Sequence, residues 1–95
     1  MADVVTLAPD VVLRVINGEA LLLKLNAEDV FALNDTGTRI VQLMTEGRNL
    51  EAVLDALEEE YGVERLELQR AVTDLVEALR TRGLVTVSRG AAPNG

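Results

Sequence analysis

The chain has 95 residues, 48% of them hydrophobic, and its nine basic and sixteen acidic residues leave a formal net charge of −7. That length supports one domain around a single core, since such a chain buries roughly 60 to 65% of the surface its unfolded form exposes. Histidine and cysteine are absent and Ser88 is the only serine; common catalytic triads, disulfides, thiolate chemistry and soft-metal sites are thereby excluded.

The first third reads as strands and the rest as helices, the segregation of an α+β domain. Val11 to Ile16, then Asn17-Gly18, then Glu19 to Leu25 is a hairpin pattern. A two-residue loop pairs Leu13 with Leu22 and sets Arg14 on the face of Leu21 and Leu23. A three-residue loop, Ile16-Asn17-Gly18 with Gly18 left-handed in a bulge, instead gathers Val11, Leu13 and Val15 with Leu21, Leu23 and Leu25. Arg14 and Lys24 then share the opposite face, and this is the register we expect. After the polar break Asn26 to Asp29, Val30 to Leu33 is expected as a third strand with one edge unpaired. Phe31 and Leu33 should face the helices and Val30 and Ala32 away from them.

Three helices follow. The first starts from Asn34 as N-cap, turns Ile40, Val41, Leu43 and Met44 inward and stops at Gly47. The second starts from Asn49, buries Leu50, Val53, Leu54 and Leu57, and ends at Tyr61-Gly62. The third runs from about Leu66 to Arg82 before Gly83, with Leu68, Val72, Leu75 and Leu79 on one stripe. Leu84 to Val87 reads as a short strand or wing. The expected domain is residues 1–88, with 89–95 a disordered tail.

The longest apolar runs, such as Ala20 to Leu23, fall far short of the ~20 residues of a membrane span, and no signal-peptide pattern opens the chain. A soluble, cytoplasmic protein is expected, with no metal or cofactor. Glu58, Glu59 and Glu60 point about 100° apart on a helix, so they form a solvated face rather than a catalytic pair. The lone serine stands at no helix start, which argues against an acyl carrier. No enzymatic activity is expected.

Strands followed by three helices, the last one long, describe a winged helix-turn-helix-like fold, a three-stranded antiparallel sheet and then three helices. The alternative function is therefore a DNA-binding transcriptional regulator. Charge opposes it: the pI is about 4.4, and the third helix sets Arg65, Arg70, Arg80 and Arg82 against Glu67, Asp74 and Glu77 with no basic stripe.

The junction Phe31-Ala32-Leu33-Asn34-Asp35-Thr36-Gly37-Thr38-Arg39-Ile40 resembles the aromatic-x-Leu-Asn-x-x-Gly-x-x-Ile junction of the PqqD-like family, which recognises leader peptides of ribosomally made, modified natural products. Leu43, Glu46-Gly47, the Leu50 to Tyr61 helix, and Leu75 and Leu79 before Arg82-Gly83-Leu84-Val85 follow the family's course over about residues 9 to 88. Within that family the chain looks like the discrete leader-binding protein of lasso-peptide biosynthesis. The resemblance implies a third strand that accepts the precursor's leader as an added strand beside helix three. It also implies a leader peptidase and an ATP-dependent cyclase as partners, with no nucleic acid and no membrane.

The peptide site expected on this basis joins Val30, Phe31, Ala32 and Leu33 to one shoulder of helix three, beside its core residue Val72. Two shoulders compete: Glu67, Ala71, Asp74 and Ala78, or Gln69, Thr73, Val76 and Arg80. The second is favoured, because Val76 extends the apolar stripe beyond what a core requires. Glu28 and Asp29, beside the edge, would meet basic side chains of a leader that the acidic domain attracts.

Overall fold

A computed structural model describes residues 3–25 and 30–88. The elements run β1 (Val4–Leu7), β2 (Val11–Ile16), β3 (Glu19–Lys24), β4 (Val30–Ala32), α1 (Asp35–Thr45), α2 (Leu50–Tyr61), α3 (Arg65–Thr81) and β5 (Val85–Ser88). The expected three-stranded antiparallel sheet is β2-β3-β4, and the three helices follow it. A second, two-stranded sheet pairs the wing β5 with β1. The strand β1 was not expected from the sequence. Asn26 to Asp29 and the expected tail 89–95 lie outside the described residues.

The hairpin corrects the expected register. Ile16 pairs with Glu19, and Asn17 and Gly18 form a two-residue loop with φ of 55° and 80°, the type I′ turn whose twist matches that of the strands it joins. Leu13 therefore faces Leu22, and Arg14 faces Leu21. No conflict arises, because the face carrying Leu21 and Leu23 is the outer one. Ala20 and Leu22, both 0% exposed, point to the helices with Val11, and α1 packs against β3 there. Lys24 alternates onto this inner face rather than the outer one. At the strand's end its ammonium donates to the Gly83 carbonyl at 3.2 Å and lies 3.9 Å from the Asp10 carboxylate, so the charge is met without burial.

Capping sets the helix starts. Asn34 Oδ1 accepts the Gly37 N–H and Asn49 Oδ1 the Ala52 N–H, each at 2.8 Å, a contact worth about 1 kcal/mol. The α1 residues Ile40, Val41, Leu43 and Met44 and the α2 residues Leu50, Val53, Leu54 and Leu57 are buried as expected. On α3 the buried set is Leu68, Val72, Val76 and Leu79, with Leu75 only half-buried. These side chains join Val5, Leu22, Leu33, Leu84 and Val85 in one core, where each fully buried aliphatic contributes roughly 1.5 to 3 kcal/mol. No helix among the described residues is long and apolar enough to cross a membrane.

Candidate functional site

Among the described residues no strand pairs with the outer edge of β4, and the parity of that edge follows from one hydrogen bond. Leu33 N–H donates to Ala20 C=O at 2.9 Å, and consecutive residues of an antiparallel ladder direct their backbone groups to opposite sides. Phe31 and Leu33 thus address β3, whereas the N–H and C=O groups of Val30 and Ala32 point to the open edge. Their side chains alternate as expected: Phe31 pairs with Leu22 on the inner face and packs on the core, Leu33 is buried, and Val30 and Ala32 are exposed. Where β4 ends, the Ala20 amide is taken by Thr38 Oγ1 at 2.9 Å. That hydroxyl belongs to α1 and is 4% exposed, so it anchors the helix start to the sheet and leaves no orphan donor behind the edge.

One face of α3 looks toward this strand. Ala71 and Leu75 line a groove of about 190 Å³ with Asn34, Thr36, Gly37 and Ile40. The Arg82 guanidinium stands 5.0 Å from the centre of the Phe31 ring, within cation–π range. Ala71, Leu75, Ala78 and Arg82 are spaced by four, three and four residues, a single helical stripe. It shares Ala71 and Ala78 with the less favoured shoulder, and adds Leu75, which the spacing places in the core, and Arg82.

The favoured shoulder lies elsewhere. Thr73, Val76 and Arg80 line a separate groove of about 360 Å³ with Asp3, Leu50 and Val87, toward β5 and α2, and Gln69 is on the same side of the helix. Val76, at 8% exposed, belongs to the core instead of extending past it, and Val72 at 0% cannot reach a ligand. Helix three packs on α2 and β5, which rotates its buried arc toward Val76 and frees Leu75. The sequence candidates Val30, Phe31, Ala32 and Leu33 are therefore together, while Gln69, Thr73, Val76 and Arg80 are not beside them. Glu28 and Asp29 lie outside the described residues. The signal for Ala71 and Ala78 was their small size, read as close packing; nothing local announced Arg82.

The other groove has an edge too. Ala8 N–H donates to Leu84 C=O at 3.0 Å, so the same parity turns the backbone groups of Val87 away from β1. There, however, Val76, Glu77 and Arg80 crowd the helix wall, with Arg80 and Glu77 in an ion pair of 2.5 Å. In the groove at the end of β4 the wall offers Ala71 and Leu75.

Most other arginines are engaged. Arg65 reaches Glu51, Asp55 and Glu58 at 2.5, 2.7 and 2.9 Å, which holds α3 to α2 and raises its pKa, chiefly through the bonds to Asp55 and Glu58. Arg39 on α1 donates twice to Glu60 on α2, at 2.9 and 2.6 Å; the bond holds the Glu60 carboxyl below the usual carboxylate value and raises that of Arg39. Among the described residues no cluster of acidic side chains could hold a metal ion.

Residues 19–85 match the family described as Coenzyme PQQ synthesis protein D (PqqD). The chain belongs to the PqqD family. Two "PqqA binding proteins" of Rhodopseudomonas palustris, from strains BisB5 and TIE-1, are each 32% identical to this PqqD-family chain over 66 residues. That alignment covers 70% of the chain and 65% of each relative, just under two thirds of their length. Among solved structures, TbiB1 in complex with the TbiA(beta) leader peptide superposes with a TM-score of 0.80 at 34% identity, over 84% of this chain and 93% of TbiB1. A lasso peptide synthetase B1 complexed with the leader peptide gives 0.80 at 29% identity, over 86% and 96%.

Proposed function

We propose that this PqqD-family chain binds the leader region of a ribosomal precursor peptide as an added antiparallel strand on β4, without catalysing a reaction itself. The observation that carries it is the outer edge of β4, where the backbone groups of Val30 and Ala32 have no strand partner among the described residues and α3 supplies Ala71 and Leu75 to the neighbouring groove. Main-chain bonds supply affinity with little sequence preference, and side chains entering the groove of Ala71, Leu75, Asn34 and Gly37 supply selectivity. The relatives support this reading: two are named for binding PqqA, and two similar structures hold leader peptides.

Delivery of the held precursor to a leader peptidase and an ATP-dependent cyclase, as in lasso-peptide systems, completes the proposal, as does action in the cytoplasm. A net charge of −7 draws in a basic leader.

A matched pair of prolines tests the site. Proline lacks the amide donor and is tolerated at sheet edges. Ala32→Pro removes an outward N–H on β4 and is expected to abolish calorimetric binding of a synthetic leader peptide that the unaltered chain binds, with the melting curve retained. Val87→Pro removes the outward N–H on β5 and is expected to leave binding intact. The reverse result would move the peptide to β5 and the groove of Val76.

A further inference from the structure

Main-chain pairing leaves a register problem. A strand added to β4 that slips by two residues keeps the same side chains on the same face and the same backbone bonds, so the edge alone does not fix which leader residues sit in the cleft. Something beside the strand must distinguish these registers.

We propose that Arg82 fixes the register by binding one aspartate or glutamate on the helix-facing side of the added strand. The proposal rests on the strand-addition reading above and specifies the ligand of that same site. Lys24, Arg39, Arg48, Arg65 and Arg80 each stand against a carboxylate. Among the described residues Arg14, Arg70 and Arg82 have no such partner, and of these only Arg82 touches β4, through the Phe31 ring at 5.0 Å. A contact with the ring uses none of the guanidinium N–H donors as hydrogen bonds to oxygen, and those donors form the fork that grips a carboxylate with two bonds.

The position on the added strand follows from parity. Because Val30 and Ala32 make the bonds to the leader, the leader residue across from Phe31 sits in a non-hydrogen-bonded pair, where side chains approach most closely. Its side chain points to the same face as Phe31, toward α3. The acidic residue is therefore the partner of Phe31 or lies two residues from it on that face. Among the described residues Arg82 is the cation that stands against Phe31, so an acidic residue held there is lost from it when the strand slips by two residues.

The test selects peptides without presupposing a leader. A phage-displayed library of random peptides, about fourteen residues long so as to outreach the strand, is panned against the full chain and against Arg82→Glu. The wild type is expected to enrich an aspartate or glutamate at one fixed position of an extended consensus, and Arg82→Glu a lysine or arginine at that position. For a selected peptide made synthetically, changing its acidic residue to the amide should weaken wild-type binding about ten-fold or more and leave binding to Arg82→Gln unaltered. Arg82 is exposed at the helix C-cap, so melting curves of both variants should match the wild type. Identical consensus sequences from wild type and Arg82→Glu, or no enrichment at all, would overturn the role of Arg82. Ala32→Pro separates the two claims: if it still captures the selected peptides, strand addition on β4 fails whatever Arg82 does.

Discussion

Gly83 shows how much one residue can carry in this fold. It ends α3 at φ 73°, and a Cβ there would meet Lys24 Nζ at 2.9 Å. A side chain would pay the left-handed penalty and push away the ammonium that bonds the Gly83 carbonyl. Gly83→Ala is therefore expected to lose about 1 to 2 kcal/mol, read from the urea midpoint; an unchanged midpoint would show that the helix end does not need the left-handed form. A glycine after a periodic run was legible in the sequence. The inward course of Lys24 was not, because the carbonyl that accepts its hydrogen bond is 59 residues away. At Asn17-Gly18 the local preference for a type I′ turn holds, although it places Arg14 on the face of two leucines. Which face of a hairpin is buried depends on where α1 packs, and no residue of the hairpin states that.

At the level of elements, periodicity placed the three helices closely, with caps at Asn34 and Asn49 and a start for α3 one residue from that expected. It could not assign the two sides of α3. The spacing puts Leu75 in the core stripe and Val76 on its shoulder, whereas packing on α2 and β5 buries Val76 and leaves Leu75 half-buried. The strand β1 escaped notice because its partner β5 lies at the other end of the sequence. A pair of truncations follows from the assignment. Val76→Ala removes core volume and should destabilise by about 1 to 2 kcal/mol while the leader binds with unchanged affinity. Leu75→Ala, half-buried, should cost less than about 1.5 kcal/mol yet weaken leader binding several-fold. Urea denaturation and calorimetry on both proteins measure the two effects; the opposite pattern would restore the shoulder of Thr73 and Val76 as the site.

Over the whole molecule the charge is placed as well as counted. On α3, the helix a winged-helix regulator would insert into DNA, Arg65 is spent on Glu51, Asp55 and Glu58 and Arg80 on Glu77. Arg70 and Arg82 remain, twelve positions apart and about 18 Å along the axis, too sparse to follow a phosphate backbone. The surplus of acidic groups instead surrounds the domain with a negative potential, which acts on a partner before contact and so changes the rate of encounter more than the rate of escape. Salt collapses that field, since the screening length falls from about 20 Å near 20 mM to about 6 Å near 300 mM. Stopped-flow mixing with a fluorescent basic leader should therefore show association slowing several-fold across that range, with dissociation changed less than about two-fold. A duplex of about twenty base pairs should show no binding tighter than the ~10⁻⁴ to 10⁻⁶ M of non-specific association at physiological salt. Association insensitive to salt would mean that the acidic surface plays no part in capturing the leader, and a sub-micromolar, sequence-dependent duplex complex would return the regulator reading to first place.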